Sequence, residues 1–269
     1  MPDFPVTLGG TILADSVSAA PASSASTHTK GTYSQLVAST SADASGLYFG
    51  VNNAAATGRS FLLDLAIGAA ASEQVILSNF LIDQPLRFVA SLHLPALIPA
   101  GSRLSARVQC DTGSQQVTID GFLLAAGLWG ESVGAPILTL GANTATSKGT
   151  PIDAGAVLST YGAWTTIEAS TSADIVAINV RKGCNRNTAP VEANLYSNYL
   201  QIGVGAAASE QVIARLPVAA TTSGYMGVGF EGWLPCSIPA GSRVAARFLA
   251  NTTDATDRII DVQVLALQA

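Results

Sequence analysis

The sequence predicts an all-β protein: two similar antiparallel β-sandwich domains in tandem, jelly-roll-like, over residues 1–134 and 135–269. Three observations lead there. First, the nine residues from Gly68 to Ile76 return unchanged from Gly205 to Ile213. Around them the halves stay in step, with Thr7-Leu8-Gly9 matching Thr139-Leu140-Gly141, Ala38 to Asp43 matching Ala169 to Asp174, and Ile98 to Arg103 matching Ile238 to Arg243. Second, short runs of Val, Ile, Leu, Thr and Phe recur between Gly, Pro, Asn and Asp clusters, with no sustained helical period. Third, each half is near the commonest domain size of roughly 100–150 residues, far beyond the roughly 20–50 residues of a solenoid repeat.

In the first half, strands are expected near 5–8, 34–39, 46–53, 59–67, 73–80, 86–94, 102–110 and 116–126. Their counterparts fall near 136–140, 163–169, 174–181, 194–204, 210–216, 224–234, 242–250 and 257–267. Eight antiparallel strands in a domain of this size suit two sheets packed face to face. Ile-Pro-Ala-Gly-Ser-Arg reads as a tight turn into a strand: Pro fixes φ and Gly supplies the positive φ. Beyond it the alternation puts Arg103, Ser105 and Arg107 on one face and Leu104, Ala106 and Val108 on the other. Arg243 and Arg247 repeat this, with Val244, Ala246 and Phe248 inward. Ala14 to Thr32 and Asn143 to Tyr161, rich in small residues, read as long loops, either draped over a neighbour or simple surface excursions.

Charged residues make up 12% of the chain, about half the usual share of roughly 25%. A surface so neutral suits close contact with neighbours, although adhesive β-proteins share it. The net charge is −5 without a Lys/Arg run, so nucleic acid is not an expected partner. No apolar stretch reaches the roughly 20 residues that span a bilayer, and Met1-Pro2-Asp3-Phe4-Pro5 is not the start of a secretory signal. No membrane insertion and synthesis in a cytoplasm are expected. Cys110, Cys184 and Cys236 have no counterparts across the halves, as buried thiols would not.

His28 and His93 likewise have no counterparts, and no phosphate loop, zinc spacing or calcium loop is present, so no catalytic site, metal or cofactor is expected. The polar cluster that does recur is Ser72-Glu73-Gln74, as Ser209-Glu210-Gln211. It reads as a ligand or subunit contact, or as polar groups bonding a loop backbone before a strand. Glu73 is placed to pair with Arg103 or Arg107, and Glu210 with Arg243 or Arg247. Trp129, Trp164 and Trp233 are spread out; Trp164 aligns with Tyr33, while Trp233 is a candidate rim contact or an edge-packing residue. Asp120 and Asp261 correspond, in alternating strands, and should face outward. An insertion at 181–191 is where a half-specific contact is expected.

The run from Ile202 to Ile213, followed by Ile238 to Arg247, resembles segments of structural proteins of tailed bacteriophages. The resemblance implies a non-enzymatic virion component attached to capsid or tail: a capsid decoration or cement protein, a tail component, or a fibre or spike module. Its partners would be other virion proteins and further copies of itself, since duplicated domains can turn a threefold ring into a pseudo-sixfold one. The alternative is a carbohydrate-binding β-sandwich recognising a host-surface glycan, with Trp233 as stacking residue. An enzyme such as a depolymerase ranks third; it would need a carboxylate pair, and Asp254 and Asp257 lack first-half equivalents.

Overall fold

The computed structural model describes residues 12–53, 59–84, 89–125, 137–184, 196–220, 232–251 and 259–269. The strand expected at 5–8, Trp129, most of the 181–191 insertion, Asp254, Asp257 and the 134/135 boundary lie outside the described residues.

The first eight strands are β1 (Ile12–Ala19), β2 (Ser34–Val37), β3 (Ala44–Asn53), β4 (Arg59–Ile67), β5 (Gln74–Gln84), β6 (Val89–Leu94), β7 (Leu104–Cys110) and β8 (Val117–Ala125). They form two four-stranded sheets, ordered β1-β8-β3-β6 and β2-β7-β4-β5. Then come β9 (Ile137–Leu140), β10 (Thr150–Ile152), β11 (Thr165–Glu168), β12 (Ile175–Cys184), β13 (Tyr196–Val204), β14 (Gln211–Ala220), β15 (Leu234–Ile238), β16 (Val244–Leu249) and β17 (Ile260–Gln268). Their sheets run β10-β17-β12-β15, with β9 also on β17, and β11-β16-β13-β14. Counted within each half, with β9 and β10 sharing first place, both halves have the jelly-roll order 1-8-3-6 over 2-7-4-5. Every ladder is antiparallel, and no described segment is helical.

Alternation builds the cores. Leu104, Ala106, Val108 and Cys110 of β7 point into the first, and Ile260, Val262, Val264 and Ala266 of β17 into the second. The Pro-Ala-Gly turns are near copies: φ is 77° at Gly101 and 80° at Gly241, and Ser102 N and Ser242 N donate to Pro99 O and Pro239 O at 3.2 Å each.

Three expectations need correction. Ala14 to Thr32 is not all loop, because most of β1 lies in it; nor is Asn143 to Tyr161, which contains β10. Strand β1 reads Ile-Leu-Ala-Asp-Ser-Val-Ser-Ala, so its alternation is faint; the ladder to β8, Ser16 opposite Phe122 through Ala19 opposite Ile119, positions it and buries Val17. Most of the strand expected at 224–234 lies outside the described residues; β15 starts at its last position and continues to Ile238. Asp261 lies on the outward face as expected but is 1% exposed, whereas Asp120 is exposed. Something covers the outer face of β17, and it is the first half.

The halves meet through unlike surfaces. An outermost strand offers unpaired backbone groups, a liability that proteins cover. Here the outer face of β9-β17-β12 covers the β5 and β6 edges of the first sandwich. Gln263 Oε1 accepts from Leu81 N at 2.9 Å while its Nε2 donates to Asn79 O at 2.6 Å. Thr139 Oγ1 donates to Ser78 O at 2.6 Å, Arg181 Nη1 to Ser91 O at 3.3 Å, and Trp233 Nε1 to His93 O at 2.9 Å. Ile137 and Leu265 complete the first half's own core. On the neighbouring face Gln109 Nε2 donates to Thr144 O at 2.7 Å and to Ser147 Oγ at 3.0 Å, tying down the β9–β10 connection.

Candidate functional site

The duplicated residues form a clamp, present twice. In Gly68 to Gln74 the chain turns with Gly68 at φ 113° and Ala71 at 66°; Gly205 and Ala208 repeat this at 123° and 65°. An alanine in the left-handed region is disfavoured by its Cβ, so surrounding bonds must hold it. Ser72 N donates to Ala69 O at 3.0 Å and Gly68 N to Arg103 O at 3.0 Å; Ser209 N and Gly205 N do the same to Ala206 O and Arg243 O. Arg103 Nη1 then bonds Glu73 Oε1 at 3.0 Å, and Arg243 Nη1 bonds Glu210 Oε1 at 2.6 Å. The carboxylates are shielded, at 9% and 2% side-chain exposure.

Both glutamates are held below the ordinary carboxylate range. For Glu73 the largest cause is its own backbone amide, joined by Arg103. For Glu210 burial pushes upward, but Arg243 and the amides of Glu210 and Ala208 outweigh it. A carboxyl whose folded pKa is depressed stabilises the fold above its unfolded pKa and loses that contribution as pH falls through the folded value. Glu73→Gln with Glu210→Gln should therefore lower the melting temperature at neutral pH and flatten its decline below roughly pH 4.5. Unchanged melting at neutral pH, or an equally steep acid limb, would contradict the clamp.

The second pair of arginines departs from the first. Arg107 does not reach Glu73; its Nε bonds Asp64 Oδ2 at 2.9 Å, while Lys30 Nζ takes Oδ1 at 2.8 Å. Asn79 N also donates to Asp64 Oδ1 at 2.8 Å, with Asn79 at φ 53°. Asp64 is thus a hub, 5% exposed in its side chain, holding a bulge in β5. That bulge turns the Ser78 and Asn79 carbonyls to the second half. Burial lowers the Lys30 pKa against the pull of Asp64. In the second half Gln201 stands where Asp64 does, accepting from Arg247 Nε at 2.8 Å. Arg107 stacks over Tyr33 at 4.6 Å and Arg247 over Trp164 at 4.5 Å, so the aligned aromatics share one task.

Trp233 is half-buried and packs against the first core at the junction. Arg181, at the start of the inserted segment, is 6% exposed and stacks over Phe80 at 4.7 Å. The sequence reading missed Gln263, Asp64 and Lys30, because none has a like residue in the other half. Burial pushes the Cys110 thiol up to about 12 and raises that of Cys236, so neither is primed as a nucleophile. No cluster of His, Cys, Asp and Glu suited to a metal occurs among the described residues. No helix among them is long and apolar enough to cross a membrane.

One surface of the second half is the counterpart of a surface that the first half buries. Opposed Leu62 and Leu81 on β4 and β5 are 0% and 2% exposed; the matching pair, Tyr199 and Pro217 on β13 and β14, is open, with Tyr199 at 38%. Arg215 lies over the Tyr199 ring at 4.4 Å, and exposed Val212 and Ile213 continue the patch along β14.

No family model and no curated protein matches the chain. Among solved structures it is similar to PNGF-II in a C2 crystal form, at 7% identity and a TM-score of 0.40, covering 94% of this chain; it spans 65% of the length of PNGF-II. It is similar to the STIV MCP, a viral major capsid protein, at 9% identity and a TM-score of 0.31, covering 94% and 95% of the two chains. It is also similar to the N-terminal CBM22-1–CBM22-2 tandem domain of Paenibacillus barcinonensis Xyn10C, at 13% identity and 0.24, covering 88% and 83%. The likeness is one of all-β sandwich architecture.

Proposed function

We propose that this protein is a non-enzymatic structural component of a bacteriophage virion, a capsid decoration or cement protein or a tail-associated one, made in the host cytoplasm and acting through protein–protein contacts. The observation that carries the reading is the open Tyr199–Arg215 face. Its first-half counterpart is buried beside the junction with the second half, while here aromatic and arginine groups of the kind enriched at interfaces stand exposed next to aliphatic ones. Another virion protein seats there, and homo-oligomers form through the same face. The repeated polar residues support a structural role, since Glu73 and Glu210 are spent on holding turns. A carbohydrate-binding module is the second reading; Trp233, being engaged at the junction, does not serve it, and a different surface does, as argued below.

The test is Tyr199→Ala with Arg215→Glu, followed by quantitative mass spectrometry of purified particles. The variant is expected to fold and to be lost from particles that retain the native chain at fixed stoichiometry. Retention of the variant would dismiss this face, and absence of the native chain from particles would dismiss the virion role.

A further inference from the structure

We infer that the outer face of β3, β8 and β6 is a binding groove for a neutral oligosaccharide. Tyr48 and Phe122, opposed across β3 and β8, stack with ring centroids 5.2 Å apart and planes 21° apart, and Tyr48 is 39% exposed. The next outward row has Gly50 between Asp120 on β8 and Ser91 on β6, and Asn52 follows. These residues line an open groove of about 590 Å³. From Tyr48 to Asn52 the strand rises roughly 14 Å, the length of a short oligosaccharide. A glycine inside a strand leaves the backbone open to close approach, and Gly50 clears the middle of the groove. An exposed aromatic face followed by carboxylate, hydroxyl and amide groups matches a sugar ring, apolar on its face and hydroxylated at its rim. Ser18 Oγ donates to Asp120 Oδ1 at 3.0 Å and steadies that carboxylate as a hydroxyl acceptor. The same charge repels uronic and sialic acids, which makes the ligand a neutral glycan.

The rival occupant is a second copy of this chain, docked as the second half docks on the first. The residues disfavour it. Register places Arg181 and Gln263 where the first half has Tyr48 and Phe122. Those two polar side chains bond the backbone edges of β6 and β5; aromatic rings cannot replace them. The surface that would have to dock, with Tyr199 and Pro217 in place of Leu62 and Leu81, has also changed.

The experiment is a glycan array carrying neutral and acidic oligosaccharides, probed with the full chain free of any particle, together with light scattering of the same samples. Binding confined to neutral glycans is expected, weakened about tenfold by Tyr48→Ala and reduced by Asp120→Asn, with melting unchanged. Where Tyr48→Ala melts early, Asp120→Lys is read in its place. No glycan bound, binding to acidic glycans alone, or binding indifferent to these changes would overturn the assignment. So would self-association abolished by Tyr48→Ala, which would give the face to a second copy. The glycan outcomes leave attachment through Tyr199 untouched, so the two readings fail separately; self-association weakened by Tyr199→Ala as well as by Tyr48→Ala would show the two faces docked on each other.

Discussion

Asp64→Ala is expected to destabilise the protein by about 3–5 kcal/mol, the usual cost of removing one partner from a buried ion pair. Two cations, Lys30 and Arg107, meet on this carboxylate, and Lys30 is the more enclosed, at 17% side-chain exposure against 34%. The bulge at Asn79 loses its amide acceptor as well, so the damage spreads to the junction that the bulge serves. Lys30, whose pKa burial already lowers, can shed part of the penalty by losing its proton as pH rises. The variant should therefore be weakest at acid and neutral pH and recover at high pH. Gln201→Ala, at the matching position, removes one bond from Arg247 and should cost only about 1–2 kcal/mol. Equal losses from the two substitutions in chemical denaturation would remove Asp64 from its place as a hub.

Gln263→Ala should be nearly as harmful, although Gln263 belongs to the other half. Its amide serves the buried Leu81 donor and the part-buried Asn79 acceptor on β5 at once, and leaving each unpaired costs about 1–3 kcal/mol. A total of roughly 2–6 kcal/mol corresponds to a drop in melting temperature on the order of 10 °C for a chain of this size. Gln263→Leu, which restores bulk without the polar groups, should recover little. Hydrogen exchange gives the sharper readout: the Leu81 amide should lose protection in both variants while the Leu200 amide in the second core keeps it. Exchange unchanged at Leu81 would mean that the edge is sealed by other means.

What the sequence showed and what it concealed have one cause. The Glu–Arg clamps were visible because both copies keep every residue that holds Ala71 and Ala208 in a left-handed turn, so repetition marked a structural demand. The inward faces of β7 and β16 were visible from alternation alone. The junction was hidden, because Arg181, Gln263 and the Asn79 bulge each occur once, and comparing halves discards what is unmatched. The Tyr48–Phe122 pair was hidden because its partners are opposite only in register, being remote in sequence. Strand β1 was hidden because a Ser- and Ala-rich segment can be held by a neighbour's ladder without showing a strand's own alternation.

The unlike-face junction also has a consequence for how the chain is made. Leu265 and Gln263, which finish the first core and cover its edge, lie on β17, which follows every other described strand in chain order. Domains generally fold as they emerge from the ribosome, at about 5–20 residues per second. Here the earlier half waits, its β5 edge uncovered, through the synthesis of the entire second half. Its vulnerable interval is therefore set by translation time, and a slow ribosome or the loss of β17 injures the first sandwich first.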